Sequence, residues 1–372
     1  MKIKIIAIFL AIVMAMALAA CGGGGGTPAP AGGGGGGGGA AGGGAAAGGG
    51  DTPADADVET VVIRVATTVS DTNPMQQLVY FWQDRVDDLM PGRVEWQNFP
   101  NSALGGEREI GEMVIDGTVD AALIGVSNYN AIVPNRAGRL QEIPFLFRDS
   151  HEMYAALNEW KRDMIDEETA PFGFTTIFHQ YFMSQALATA SRPMSSPEEL
   201  SGMVVRVFDS MGLFMFFEAF GALPVMMPLA EVFTGLQQGT IDGSYTTSSN
   251  FYPQGQTDVL NYYTNMPITQ VGMGLIFSLD SLASFPQDLQ DALFEAGRQM
   301  EDHALNVVSP EVRAQVHQDL AGAGVQIIEV SPEDHQRFVS YTEERIYAAL
   351  REEIGADLWD FAVEWLEEFR SR

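Results

Sequence analysis

The sequence predicts a two-lobed α/β protein, with mixed sheets flanked by helices and a ligand cleft between the lobes. Three observations carry this: a strand, helix, strand succession opens the foldable part, a motif recurs about 120 residues later, and about 315 foldable residues suffice for two domains. The first element, Val61 to Ala66, is a β-branched apolar run interrupted by Arg64. Met75 to Leu89 then repeats apolar residues at helical spacing up to Pro91-Gly92, and Val94 to Phe99 reads as the next strand.

The recurring motif comes next. Glu109 is followed eight residues later by Gly117-Thr118-Val119-Asp120, and Glu231 eight residues later by Gly239-Thr240-Ile241-Asp242. Each copy reads as a helix, a glycine stop and a strand, Val119 to Ile124 or Ile241 to Tyr245, because glycine supplies the left-handed turn that ends a helix. Ligands in open α/β sheets sit beyond the carboxyl ends of the strands. That puts Ser127, Asn128 and Tyr129 at the mouth of one lobe, and Tyr245, Thr246 and Thr247 at the mouth of the other.

After Asp280 the pattern is mostly helical: Pro286 to His303, Pro310 to Leu320, a short strand Val325 to Val330, and a long amphipathic end from Pro332 to Arg370. Ser331-Pro332-Glu333-Asp334 is an N-terminal cap with proline in the first turn. Trp359, Phe361, Trp365 and Phe369 read as the core-facing side of the last helix.

The N-terminus reads as an address. Lys2 and Lys4 precede an apolar run from Ile5 to Ala20, too short for a membrane span, and the run ends in Leu18-Ala19-Ala20-Cys21. It resembles a bacterial lipoprotein signal, with residues 1–20 removed and Cys21, the only cysteine, lipidated as the new N-terminus. Residues 21–57 form a Gly/Ala-rich linker holding 19 of the 40 glycines. A coil of about 30 such residues reaches roughly 30 Å and tethers the folded body above a membrane.

Charge and motifs exclude several function classes. The formal net charge of −29, from 20 basic and 49 acidic side chains, repels nucleic acid and anionic lipid. An acidic surface with lysine only at 2, 4 and 161 suits a salty medium. One cysteine and five scattered histidines provide no metal-ligand spacing. There is no nucleophile elbow, no phosphate loop and no zinc helix, and no cofactor is implied.

One residue stands out. In the strand Met203 to Phe208, Arg206 alternates onto a face with Val204 and Phe208, placing a guanidinium on a sheet read as buried. A desolvated arginine requires an anion, supplied either by a protein carboxylate such as Asp209 or by a ligand carboxylate, which suits its planar fork.

A resemblance bears on that choice. Leu104-Gly105-Gly106-Glu107-Arg108-Glu109, Gly117 to Asp120 and Pro144-Phe145-Leu146-Phe147 resemble the first lobe of the solute-binding proteins of TRAP transporters, the DctP type. Ser195 to Gly202, Arg206-Val207, and Glu231-Val232-Phe233 through Gly239-Thr240-Ile241-Asp242-Gly243 extend the likeness through the second lobe. The resemblance implies a two-lobed fold like that of type II periplasmic binding proteins, and an extracytoplasmic, non-catalytic carrier that delivers a small organic acid to membrane permease subunits. It also implies that Arg206 pairs with the substrate carboxylate. Thr246 stands where the family often has asparagine, and Ala186 where some members have a second arginine. Thr246, Asp209 and Asn128 are read as setting selectivity, and Tyr245 and Phe208 as covering an apolar part of the ligand.

The expected organisation is lobe I over 58–183 with a return segment about 272–311, and lobe II over 184–271 with the C-terminal helices about 312–372, hinged near 183 and 271. Two competing readings are a lipid-anchored surface hydrolase and a ligand-sensing lipoprotein.

Overall fold

The computed structural model describes residues 60–372 apart from 182–184, 253–254 and 271. The signal segment, Cys21 and the linker lie outside the described residues, as do positions 183 and 271.

Two sheets organise the folded part. Elements are numbered in chain order. The first sheet joins β1 (Val61–Thr67), β2 (Val94–Phe99), β3 (Ala121–Gly125), β4 (Phe174–Gln180) and β10 (Met273–Ser278) in the order β2-β1-β3-β10-β4. The second joins β5 (Gln185–Thr189), β6 (Val204–Val207), β7 (Leu223–Met226), β8 (Gly243–Thr247), β9 (Tyr262–Asn265) and β11 (Gln326–Glu329) in the order β11-β9-β5-β8-β6-β7. Read as β2-β1-β3-β10-β4 and β7-β6-β8-β5-β9, the sheets share one topology. In each, three parallel strands are followed by an antiparallel strand reached by a crossing from the other sheet. The chain therefore crosses directly from strand to strand twice, between β4 and β5 and between β9 and β10, and a third time through the helices that separate β10 from β11.

The helices follow from local signals. Asn73 caps α1 (Pro74–Leu89), its Oδ1 accepting from the Met75 amide at 2.9 Å, with proline at the first position. The buried stripe Met75, Leu78, Val79, Trp82 and Val86 of α1 meets Leu289, Leu293, Ala296 and Met300 beside the first sheet. Each such side chain contributes about 1.5–3 kcal/mol on burial. Two short-loop helices carry the repeated motif, α2 (Glu107–Ile115) in the first lobe and α6 (Leu229–Gln238) in the second.

The echo has a structural cause. Gly117 and Gly239 both adopt the left-handed conformation, φ 76° and 68°, just past α2 and α6. Asp120 then accepts the backbone N–H of Arg64 at 2.8 Å, and Asp242 that of Val204, also at 2.8 Å. Each aspartate holds the neighbouring parallel strand one residue before its ladder with β3 or β8 begins.

The remaining α-helices of six residues or more are α3 (Ser150–Ala156), α4 (Arg162–Thr169), α5 (Met211–Ala219), α7 (Leu279–Ser284), α8 (Gln287–His303), α9 (Ser309–Gly322), α10 (Pro332–Arg345), α11 (Tyr347–Ile354) and α12 (Ala356–Ser371). The amphipathic end is thus three helices, broken at Ile346 and at Gly355, whose φ of 98° suits glycine alone. These helices serve both lobes. Phe338 of α10 packs on Phe216 and Phe220 of lobe II. By contrast, Arg139 reaches Glu353 and Arg136 reaches Asp357, while Arg370 binds Glu152 at 2.7 Å and the Trp365 indole binds Glu159 at 2.8 Å. Where the sequence places 312–372 with lobe II, α11 and α12 are bonded to lobe I. No helix among the described residues is long and apolar enough to cross a membrane.

Candidate functional site

Arg206 sits in the interior strand β6. Val205 and Val207 point toward α5, in the core with Leu213 and Phe216, so alternation turns Arg206 to the opposite face. It is 3 % exposed and lies level with Val225 of β7 and Ser244 of β8. Its Nε donates to the Met227 carbonyl at 2.8 Å and Nη1 to the Tyr245 carbonyl at 3.3 Å. Among the described residues no carboxylate forms an ion pair with it. Desolvation pulls the guanidinium down to about 10, so it remains a cation at neutral pH. The one opposing influence is the charge of Glu107.

Glu107 opens α2, just after Gly106, in lobe I. Its Oε2 accepts from the Gly125 amide at 2.7 Å and from Asn128 Nδ2 at 2.5 Å. Burial raises its pKa, and these two donors together with the Arg206 charge work against that rise. A buried cation on one lobe and a half-buried carboxyl on the other therefore act on each other through their charges. Glu107 enters the sequence reading only as part of a motif string. A glycine pair followed by glutamate at a helix start was the available signal, since it marks a carboxyl held at a helix N-terminus.

Thr246, on β8, shares the face of Arg206 and is 4 % exposed. Its Oγ1 accepts from Asn250 Nδ2 at 3.3 Å, and Asn250 Oδ1 accepts from Asn73 Nδ2 at 3.2 Å. Asn73 belongs to lobe I, so this contact spans the lobes. Ala186 of β5 lies directly opposite Thr246 in the ladder, with a methyl group where a longer side chain would reach the same place. The buried Ser244 hydroxyl, between Arg206 and Thr246 on this face, has no protein partner among the described residues.

The other expected residues are placed differently. The Tyr245 ring is fully buried on the α5 side, edge-on to Phe217, and its hydroxyl accepts from the Ile268 and Thr269 amides at 3.1 and 3.0 Å. What Tyr245 offers to Arg206 is its carbonyl. Phe208 is half-buried against the main core. Asp209 lies near Glu142, whose carboxyl its charge helps to raise, and it is not paired with Arg206. Asn128 spends its amide on Glu107 and so orients that carboxyl.

Comparison with known proteins bears on this cleft. The family model described as bacterial extracellular solute-binding protein, family 7 (DctP), matches residues 65–352. The chain belongs to that family. This family 7 protein is 26% identical over 312 residues to the C4-dicarboxylate-binding periplasmic protein DctP of Vibrio cholerae, covering 83% of this chain and 92% of the relative. It is similar in fold to the sugar acid binding protein of Advenella mimigardefordensis solved with galactonate, with a TM-score of 0.78, 18% identity, and coverage of 84% and 99%. It is also similar to a TRAP periplasmic solute-binding protein of Sulfurospirillum deleyianum solved with succinate, with a TM-score of 0.73, 27% identity, and coverage of 81% and 97%. The two-lobed, mixed-sheet architecture expected from sequence is therefore the fold of this family.

Proposed function

We propose that this chain is the substrate-binding subunit of a TRAP-type transporter, tethered to a membrane by lipid on Cys21, and that it hands an organic acid to permease subunits unchanged. The observation that carries the reading is Arg206, a buried cation bonded to two backbone carbonyls and, among the described residues, in no ion pair with a carboxylate. An arriving carboxylate supplies that charge through two parallel bonds.

The residues around it favour one class of acid. Glu107 confronts Arg206 with an acceptor, and Ala186 leaves no second cation beside Thr246. A second carboxylate on the ligand would meet the Glu107 charge, whereas a hydroxyl or amino group would donate to it. The preferred ligand is accordingly a monocarboxylate with hydroxyl or amino donors, of the sugar-acid kind found in the Advenella relative rather than the succinate kind.

Calorimetry of the protein against D-galactonate, D-glucuronate and succinate tests this. A hydroxylated acid is expected to bind at least tenfold more tightly than succinate and to be recovered chemically unaltered. Preference for succinate overturns the class, and turnover of any bound acid overturns the carrier reading in favour of a surface enzyme. Mass spectrometry of the mature N-terminus for diacylglyceryl-cysteine tests the tether.

A further inference from the structure

We propose that Asn73 and Asn250 form a latch between the lobes, and that this latch fixes the Thr246 hydroxyl as a hydrogen-bond donor into the cleft. Amide groups can be turned either way round, so direction must be set by a partner of fixed sense. The Met75 amide is such a partner. It can only donate, so the Asn73 atom facing it, at 2.9 Å, is the acceptor Oδ1. Asn73 Nδ2 must then face outward, and it donates to Asn250 at 3.2 Å. That makes the receiving atom of Asn250 its Oδ1, which leaves Nδ2 to donate to Thr246 Oγ1 at 3.3 Å. With its oxygen accepting, the Thr246 hydroxyl keeps one proton, and no acceptor for it is present among the described residues.

The sense of the whole chain is thus set by the first turn of α1 in lobe I and read out on β8 in lobe II. Asn73 and Asn250 are 0 % and 5 % exposed, so water does not compete for these groups. When the lobes part, the Asn73 to Asn250 bond is broken, Asn250 is free to turn, and the hydroxyl loses its fixed direction. Asn250 is a positioning residue in this scheme. It gives Thr246 a defined sense on the Arg206 side of the cleft, where a carboxylate accepts from both groups. That last clause rests on the function proposed above; the latch does not.

Asn73→Ser separates the latch from the helix cap. The serine hydroxyl still accepts the Met75 amide as an N-cap, but it is too short to reach Asn250, so neither orientation of the Asn250 amide restores the contact. Hydrogen exchange on the full-length, ligand-free protein is the readout. The variant should speed exchange across 244–251 in lobe II by roughly fivefold, the equivalent of one net hydrogen bond, while α1 keeps its protection. Asn250→Leu should do the same to the loop around Asn73 in lobe I. Unchanged exchange at 244–251 in Asn73→Ser overturns the latch, as does loss of protection confined to lobe I. If D-galactonate and succinate both fail to bind the wild type, the carboxylate reading falls, and the exchange result still decides the latch.

Discussion

At the residue scale the decisive group is Arg206, whose burial is tolerated because two carbonyls take part of its hydrogen-bonding capacity. Arg206→Ala is expected to abolish binding of whichever acid calorimetry identifies, and Arg206→Lys to weaken it by at least an order of magnitude. A point charge does not reproduce the fork. Unaltered affinity in Arg206→Ala would remove the residue from the site. A second group titrates where it can be measured. Glu142 is buried between the lobes, and desolvation first, then the charge of Asp209, raises its carboxyl to about 8, against the pull of Arg139, Ser210 and the Met211 amide. A raised acid binds its proton more tightly in the folded state, so its stabilising share is complete below about pH 4.5 and is lost as pH climbs through about 8. At about 1.4 kcal/mol per unit this amounts to a few kcal/mol. Denaturant titrations at pH 5 and pH 9 should show Glu142→Gln flattening that fall, and an identical slope in both proteins would refute the assignment.

At the element scale the strands were the most legible part. Val61 to Ala66 and Val94 to Phe99 were readable from β-branched runs, and they match β1 and β2 to within a residue. The glycine stops at 117 and 239 were readable because a left-handed turn admits few other residues. The division of Pro332 to Arg370 into three helices was hidden by apolar spacing that continues across Ile346 and Gly355. Trp359 and Trp365 are buried as their spacing predicts, but Phe361 falls off that stripe and is 44 % exposed, resting edge-on against Trp160. In the site, alternation along β6 was enough to single out Arg206. Glu107 and the Asn73–Asn250 contact were not legible, because each joins segments more than 90 residues apart and depends on how the sheets face each other. Packing between elements also makes a prediction. The N-terminal turn of α5 lies so close to the 140–144 segment that a methyl group on Gly212 would overlap the Glu142 carbonyl oxygen. Gly212→Ala should lower stability by about 1–3 kcal/mol, the usual range for overpacking, despite alanine's better helix propensity. A neutral or stabilising effect would show that the two segments separate freely.

At the scale of the whole molecule, charge dominates. Surface pairs such as Arg298 with Glu295 or Arg108 with Glu112 are exposed and contribute little individually. Acidic groups outnumber basic ones by 49 to 20, so screening removes more repulsion than attraction. The thermal midpoint is therefore expected to rise by several degrees between about 0.05 and 1 M potassium chloride, and a flat or falling midpoint would count against a surface adapted to salt.

The bonds from α12 back to Glu152, Glu159 and the Leu146 carbonyl have a consequence for biogenesis. The first lobe begins with one of the earliest strands to be synthesised, yet its flank stays unsealed until the ribosome has polymerised the stretch through Arg370. A nascent or prematurely terminated product would present unpaired acids and bare tryptophan-lined surface, a state open to proteases and to holding chaperones.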